Sequence, residues 1–287
     1  MNILGTPLGW IMKLIYGFIQ NYGLSIVVFT ILVKLILLPF SIKQQKSSAK
    51  MSVVQPQMME LQKRYANNQQ KLNEELQALY AREGYNPMGG CLPLLIQMPI
   101  LFAIYGVIQN PITYVLKLKP SVEVLTALCQ KPTDTQLEVV CFVSNQFEKA
   151  LDALSNAGLS FNLESLKMNF NFLGLNLGYT PQSNVDLWLY LIPILSIVTS
   201  FLVNKVGQPK KDDSKNNDQP NQMQTMQYIF PFMTGYFCYI LPAAMGLYWI
   251  MGNILQIGQT YLMRAIKKKS NNDDVLIVEP EKKKKKK

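Results

Sequence analysis

A single lysine lies inside an apolar run that is otherwise nearly long enough to cross a membrane. Lys34 falls within residues 23–40, GLSIVVFTILVKLILLPF, and a span needs roughly 20 apolar residues. A cation in such a run costs on the order of 2.5 to 3.5 kcal/mol even on the mildest insertion scale. The sequence favours a hydrated cavity around Lys34. The alternative is extension to the surface, because Pro39 and Lys43 mark a membrane boundary nearby.

The apolar residues cluster into five segments, which predicts an all-α polytopic membrane protein with five transmembrane helices. The hydrophobic fraction is 49% and the charged fraction only 16%, which is a low charge content for a soluble domain. The fourth segment is short for an unperturbed bilayer. The predicted spans are residues 23–40, 89–110, 185–205, 227–241 and 242–263.

The distribution of lysine and arginine predicts the orientation. Basic residues concentrate in residues 41–88, 206–226 and 264–287, whereas residues 111–184 are close to neutral. Basic loops stay in the cytosol, so the N-terminus is expected outside and the C-terminus inside. Residues 1–22 are expected to form an amphipathic helix at the membrane interface rather than a cleavable signal peptide, because apolar residues recur at helical spacing without a basic leader.

Residues 41–88 are predicted to form a cytosolic helical hairpin. The apolar seam Met51, Val54, Met58 and Leu61 steps by three and four, NNQQ interrupts it at residues 67–70, and a leucine seam then resumes. Such a basic hairpin suits acidic partners and lipid headgroups equally. The linker 206–226 and the tail after Lys269 are expected to be mobile, and the lysine-rich tail to attract anionic lipid or RNA.

Residues 111–184 are predicted to form an extracellular insert. Residues 136–157 show helical periodicity, and FNFLGLNL at residues 170–177 suggests an extended stretch. Cys129 and Cys141 both fall here, where disulfides can persist. A disulfide between them and two buried thiols are equally consistent with the sequence.

Polar side chains inside the spans are the second indication of function. Thr30 lies one turn from Lys34 on the same helix face. If the faces converge, they form a hydrophilic groove within the membrane. The alternative is hydrogen bonding between helices, worth about 0.6 kcal/mol per pair, and this is the favoured interpretation for Gln97. The remaining candidates are Tyr248, Trp249, Asn253, Gln256 and Gln259.

The sequence gives no indication of an enzyme. It contains no histidine, which removes histidine bases and histidine metal sites. It also has no CxxC, P-loop, GxSxG or GxGxxG pattern. Ser25 and Lys34 cannot form a protease dyad, since nine residues separate them by about 13 Å along one helix. No catalytic residue, metal or cofactor is expected.

Four stretches resemble the YidC/Oxa/Alb membrane protein insertases, in their five-span Gram-positive, clostridia-like form. They are GLSIVVFTILVKLILLPFSIKQQKSSAKMSVVQPQM, NPMGGCLPLLIQMPILFAIYGVI and the pair IFPFMTGYF and LPAAMGLYWIMGNILQIGQTYLM. The resemblance implies a groove open to cytosol and lipid but closed to the outside. It implies one basic residue on the first span, usually arginine and here Lys34. By the same resemblance, Thr30, Gln97, Tyr248 and Trp249 match groove-lining positions.

The resemblance implies an insertase of the bacterial plasma membrane that captures the polar tail of a nascent membrane protein and releases its helix into lipid. The hairpin would receive substrate and the basic tail would face the ribosome. Anionic lipids are expected partners, with the general secretion channel a further candidate. Two rivals stay open, namely a solute transporter or anion channel with an intramembrane cation, and a structural ribosome anchor.

Overall fold

The computed structural model describes the backbone of residues 2–84, 87–130, 135–183, 186–207 and 222–277. Side chains are described in these ranges except at residues 2–3, 43–53, 55, 87–97, 183, 222–227 and 267–277. Within this part of the chain the structure is mostly helical. The main helices are α1 Asn2–Ile19, α2 Tyr22–Ile36, α3 Leu38–Arg64, α4 Gln69–Arg82, α5 Pro87–Gln109, α6 Val122–Leu128, α7 Gln136–Asn145, α8 Phe147–Asn156, α9 Leu191–Gly207, α10 Gln222–Ile240 and α11 Ala243–Ile277.

One segment among the described residues, Leu187–Gly207, is both long and apolar enough to cross a membrane by itself. It comprises a short 3₁₀ turn, Leu187–Tyr190, followed by α9. Three shorter apolar helices accompany it, at Leu4–Ile19, Tyr22–Ile36 and Met98–Gln109. The five-span arrangement therefore stays a prediction.

The core forms where α2 meets α1 on one side and α11 on the other. Tyr22, Ile26, Phe29 and Val33 repeat every three or four residues and are buried, which gives α2 a continuous apolar stripe. The first eight residues of α11 are almost all buried as well. α1 and α5 complete one flank of this core, and α9 and α10 complete the other.

α9 packs closely against α11 at a glycine. A β-carbon at Gly246 would overlap Cγ2 of Ile192 on α9. Small residues let helix backbones approach in membrane proteins, where van der Waals packing replaces the hydrophobic driving force between helices. Gly246 therefore sets the distance between α9 and α11. The opposite face of α9 exposes Ile194, Leu195 and Val198, as a lipid-facing surface would.

α3 and α4 pack against each other beyond the end of α2. Val54 and Leu79 are buried between them, with Met58, Leu61 and Tyr80 alongside. α3 ends at Arg64 and α4 begins at Gln69, so the chain turns at the NNQQ interruption. The side chain of Met51, also part of the predicted seam, lies outside the described residues.

The described part of the insert, residues 111–130 and 135–183, contains the short helices α6, α7 and α8 and a small hairpin. The predicted extended stretch pairs as two antiparallel strands, β1 Asn171–Phe172 and β2 Leu175–Asn176. Leu173 and Gly174 connect them with φ of 52° and 82°, and two consecutive positive φ values are the signature of a type I′ turn. Strand pairing and the turn explain why this apolar stretch is not helical.

Three boundaries differ from the sequence-based expectation. The periodic stretch 136–157 is two helices, because the backbone leaves helical geometry at Gln146, where φ is −135°. The first predicted span divides at Leu37, so Phe40 already belongs to α3, which begins with Pro39 in its first turn. The tail was expected to be mobile after Lys269, but α11 continues to Ile277, since no helix breaker occurs before Pro280.

Candidate functional site

Lys34 lies near the C-terminal end of α2, with its side chain directed at α11. Its Nζ lies 3.4 Å from Oε1 of Gln256, which is a long hydrogen bond. Its Cε comes within 3.7 Å of where a β-carbon would stand at Gly252, one helical turn before Gln256. The lysine is half-buried, so the neighbouring helix shields its stem while the ammonium meets an amide oxygen.

The direction of Lys34 matters because α2 ends two residues later, at Ile36. Extension to the membrane surface would carry the ammonium past this end, along α3. The hydrogen bond instead holds it sideways, against the middle of α11. This geometry favours the sheltered environment over the alternative of extension to the surface.

Thr30 and Tyr248 are buried, whereas a residue that lines an open groove would expose part of its side chain. Thr30 is fully buried and its Oγ1 donates to the Ile26 carbonyl oxygen at 2.6 Å, so its own helix satisfies it. Tyr248 is also buried. Trp249 is half-buried, and its ring stacks on Phe237 of α10 with centroids 6.3 Å apart. Only Trp249 of these three keeps a substantial exposed surface.

Gln97 lies on α5, but its side chain falls outside the described residues. Its contribution to a groove therefore stays a prediction, and so does the groove itself.

Asn253 belongs to a polar network that joins three helices. Its Nδ2 donates to Oγ1 of Thr199 and to Oγ of Ser200, both at 3.0 Å and both on α9. Ser200 Oγ in turn lies 3.3 Å from Oγ1 of Thr234 on α10. Thr199, Ser200 and Thr234 are buried. Asn253 therefore connects α11 to α9 and, through Ser200, to α10.

Thr199, Ser200 and Thr234 are not among the residues that the sequence predicts for the site. The signal was present, since Thr199 and Ser200 interrupt the apolar run of α9 and Thr234 interrupts that of α10. Hydroxyl groups in apolar helices commonly bond to their own backbone, as Thr199 and Thr234 also do here. Only the three-dimensional arrangement shows that the same hydroxyls also meet across helices.

α11 therefore presents polar groups to two sides. Gln256 meets α2 through Lys34, and Asn253 meets α9. Gln259, one turn beyond Gln256, has a buried Nε2 with no hydrogen-bond partner among the described residues. A buried donor without a partner is costly, so we expect the amide of Gln259 to add nothing to the stability of α11.

The insert covers the ends of α2 and α11 that lie away from Lys34. The Tyr22 amide donates to the Asn169 carbonyl at 2.8 Å, and the amides of Ala243 and Ala244 donate to the carbonyls of Tyr179 and Leu177 at 2.8 and 2.9 Å. These bonds satisfy helix N-terminal amides that would otherwise lack partners. They attach the insert to this end of the bundle, whereas α3 and α4 lie beyond the other end of α2.

Cys141 is a buried thiol in the structure. Its Sγ accepts from Asn145 Nδ2 at 3.1 Å and lies 3.5 Å from Asn176 Oδ1. Burial raises the pKa of the Cys141 thiol to about 12. Pairing with Cys129, the other expectation from the sequence, stays a prediction. In the described part of the chain no cluster of three metal-ligating His, Cys, Asp or Glu side chains occurs.

The chain is similar to a group of bacterial membrane proteins. The family model described as 60Kd inner membrane protein matches residues 14–271. A protein of Oceanobacillus iheyensis called membrane protein insertase YidC is 32% identical over 263 residues, covering 90% of this chain and 80% of that protein. One of Clostridium perfringens with the same name is 33% identical over 255 residues, covering 87% and 81%.

Other relatives are longer. The Cupriavidus taiwanensis protein, also named membrane protein insertase YidC, is 29% identical over 261 residues, and the match covers 91% of this chain and only 35% of that protein. A solved structure described as an active YidC insertase with its first transmembrane domain resolved matches with a TM-score of 0.52 and 22% identity. This match covers 91% of this chain and 46% of that one, and it supports the fold alone.

The chain is a mostly helical protein with the fold of the solved insertase structure. It matches a family model of inner membrane proteins. The chain belongs to the YidC/Oxa family, as its sequence motifs predicted.

Proposed function

We propose that this protein is a membrane protein insertase of the bacterial plasma membrane, which works without covalent chemistry. The observation that carries the proposal is the ammonium of Lys34 held inside a helix pair, 3.4 Å from Gln256. Family membership and the printed names of the relatives support the same function. Nascent membrane proteins are then its substrates.

We place five spans in the membrane, formed by α2, α5, α9 with its preceding turn, α10 and α11. The insert lies outside, and α3, α4 and the basic tail lie in the cytosol, by the positive-inside rule. The insert contacts the start of α2 and α3 continues from its end, which agrees with this orientation. α2 is about 22 Å long at 15 residues, so its start and end match the two membrane surfaces only if the bilayer is thinned locally.

In the proposed mechanism, Lys34 attracts the polar, often acidic, outer tail of a substrate into a hydrated groove. Attraction between opposite charges is several-fold stronger there than in bulk water because the effective dielectric constant is lower. The α3–α4 pair receives the substrate, and its apolar helix then partitions into lipid, driven by burial of apolar surface. The membrane potential assists an acidic tail by about 2.3 kcal/mol per charge per 100 mV.

A solute transporter or anion channel is the second candidate, because it too would use an intramembrane cation. Such a protein needs a path that opens to both sides of the membrane. Three backbone hydrogen bonds join the amides of Tyr22, Ala243 and Ala244 to the insert at one end of the bundle. A covered end is what the insertase proposal requires, so these bonds support it over the channel. A flux assay on proteoliposomes tests the rival directly, and rapid solute flux through the purified protein would contradict the insertase.

The main test is complementation of cells depleted of their own insertase. Lys34→Glu should reduce insertion of a single-span substrate with an acidic outer tail at least tenfold, which corresponds to about 1.4 kcal/mol. Lys34→Ala should give a smaller loss, and Lys34→Arg should retain function because the charge is kept. The control is Lys13→Glu, at an exposed lysine of α1.

Two outcomes would contradict charge capture. Normal insertion by Lys34→Glu would remove the role of the ammonium. An equal loss for a substrate whose outer tail carries no charge would show that Lys34 acts on folding rather than on substrate. A structural ribosome anchor predicts a third pattern, in which removing the basic tail abolishes function and Lys34→Ala has no effect.

A further inference from the structure

A cavity of about 720 Å³ lies between the N-terminal half of α1 and the π-helical turn Ile112–Leu116 that follows α5. Its size falls within the range of small-molecule and cofactor sites, about 300 to 1,000 Å³. It is separate from Lys34, since its walls come from α1, the turn and the insert helices. No step of the proposed insertion mechanism uses it.

The walls of this cavity are fixed by close packing. The ring of Tyr114 lies against α1 where a β-carbon at Gly9 would come within 2.5 Å of it, so only glycine permits this approach. On the other side, the side chain of Gln136 on α7 makes two hydrogen bonds to Thr113. Its Oε1 accepts from the Thr113 amide at 3.0 Å and its Nε2 donates to Thr113 Oγ1 at 2.9 Å. These contacts hold the turn Ile112–Leu116 against α1 on one side and α7 on the other.

Its charge is positive. Lys117 and Lys119 line it, and its lining includes no aspartate or glutamate among the described residues. Lys117 adopts a left-handed backbone conformation with φ of 59°, and its Nζ lies 5.8 Å from the centre of the Tyr114 ring. Thr6, Thr113 and Gln136 add neutral polar groups. Two ammonium groups beside hydroxyl and amide groups suit a phosphate.

The surroundings of the cavity are apolar. Ile112, which lines it, lies three residues after the end of the apolar helix α5. The neighbouring helix α1 exposes Leu4 (41%) and Trp10 (57%). Exposed tryptophan beside an apolar helix end is typical of the membrane–water interface. A ligand bound here would therefore place its charged part among the lysines and an apolar part along α1.

We propose that this cavity binds the phosphate of an anionic phospholipid of the outer leaflet, with Lys117 and Lys119 as its charged contacts. The proposal rests on the membrane orientation given under the proposed function. A lipid is favoured over a soluble phosphate ester because Ile112, Leu118 and Leu125 line the cavity and the exposed face of α1 continues from it. The bound lipid would anchor the α1 end of the bundle at the interface.

The test uses the full-length protein in nanodiscs that contain zwitterionic lipid and a small fraction of a photoreactive lipid, either phosphatidylglycerol or phosphatidylcholine. Crosslinks are mapped by mass spectrometry to peptides around residues 112–120. The anionic probe should crosslink several-fold more than the zwitterionic one. Lys117→Asn and Lys119→Gln should each lower the anionic yield about fivefold, the equivalent of about 1 kcal/mol per charge. Asparagine is chosen at residue 117 because it tolerates the left-handed conformation.

Lys149→Gln is the matched control, because Lys149 is an exposed lysine of α8 that does not line the cavity. Equal crosslinking of the two probes, or an unchanged yield in the Lys117→Asn, Lys119→Gln double variant, would overturn the proposal. Displacement of the anionic probe by millimolar glycerol phosphate would overturn the lipid as occupant and assign the cavity to a soluble phosphate.

The same variants separate this proposal from the proposed function. The Lys117→Asn, Lys119→Gln double variant should still insert a substrate at the normal rate in the complementation assay. Lys34→Glu should lose insertion and keep the crosslink at residues 112–120. Loss of the crosslink in Lys34→Glu protein that remains folded would contradict an independent lipid site.

Discussion

Asn253 and Gln259 lie on the same helix, but in the described part of the chain only the amide of Asn253 donates hydrogen bonds to another helix. Asn253 donates to Thr199 and Ser200, whereas the buried Nε2 of Gln259 has no partner among the described residues. Asn253→Leu should lower stability by about 1 kcal/mol, since each interhelical hydrogen bond in a membrane is worth about 0.6 kcal/mol. Gln259→Leu should be neutral or stabilising because it removes a buried, unsatisfied donor.

The measurement is unfolding of the purified protein in mixed micelles by increasing SDS, followed by circular dichroism. Asn253→Gln serves as a second control, because it keeps the amide but shifts its position. A larger loss for Gln259→Leu than for Asn253→Leu would contradict this assignment of partners. It would also show that the Gln259 amide binds a group of its own.

Cys141 gives a prediction that depends on pH. Burial raises its thiol pKa to about 12, compared with about 8.5 for an exposed cysteine. At pH 8 the folded thiol should therefore react with iodoacetamide much more slowly than the same cysteine in SDS. Its contribution to stability is complete below about pH 8.5 and is lost as the pH rises towards 12, because the unfolded thiol ionises first.

Labelling is read at the peptide that contains Cys141, with and without prior reduction. Fast labelling at pH 8 in the folded, reduced protein would contradict the buried thiol. A disulfide-linked pair of the Cys141 and Cys129 peptides in a digest of the unreduced protein would instead establish the pairing that the sequence allowed. The experiment thus decides between the two alternatives for this pair.

The sequence identified the cation of the candidate site but not its neighbours. Lys34 is conspicuous because one charge interrupts an apolar run, and such a charge is costly wherever the helix lies. Its contact with Gln256 joins residues 222 positions apart, and helical periodicity gives no information on which faces of distant helices meet. For the same reason the Thr199, Ser200 and Thr234 network could not be derived.

At the scale of helices, the distance between α9 and α11 depends on Gly246. Gly246→Ala should lower the free energy of unfolding by about 1 to 3 kcal/mol. The new methyl group overlaps Ile192, and extra atoms in a packed core typically cost this much. Gly258→Ala on the same helix is the matched control. No atom lies within 4 Å of a β-carbon there, so alanine should stabilise the helix by up to about 1 kcal/mol.

Both glycine variants are measured by the same SDS titration. Ile192→Ala combined with Gly246→Ala should recover part of the loss, because the shortened side chain leaves room for the methyl group. Equal stability of Gly246→Ala and Gly258→Ala would contradict a close contact between α9 and α11. Failure of the double variant to recover would place the strain elsewhere on α11.

Helices were easier to predict from the sequence than their ends. α5 and α11 follow from long apolar runs, and the turn between α3 and α4 follows from four consecutive polar amides at residues 67–70. The division of residues 136–157 was not predictable, because Gln146 is a helix-compatible residue. Its non-helical backbone lets α7 and α8 pack against each other, and this tertiary contact outweighs local preference.

At the scale of the whole molecule, orientation determines what the site can do. The insert is hydrogen-bonded to the starts of α2 and α11, and Lys34 lies towards the other end of α2. A site closed on one side can receive substrate only from the opposite side or from the lipid. If the insert faces the exterior, Lys34 is reached from the cytosol, where membrane proteins are synthesised. The reverse orientation would make insertion from the ribosome impossible by this route.

Single cysteines in a cysteine-free background test the orientation in intact cells. Asp152→Cys on α8 and Asn73→Cys on α4 both replace exposed residues. A membrane-impermeant maleimide should label residue 152 in intact cells and residue 73 only after the membrane is permeabilised. Both positions should label equally in detergent, which controls for reactivity. Labelling of residue 73 alone in intact cells would invert the protein, open the Lys34 site to the exterior and remove the basis for charge capture of a nascent chain.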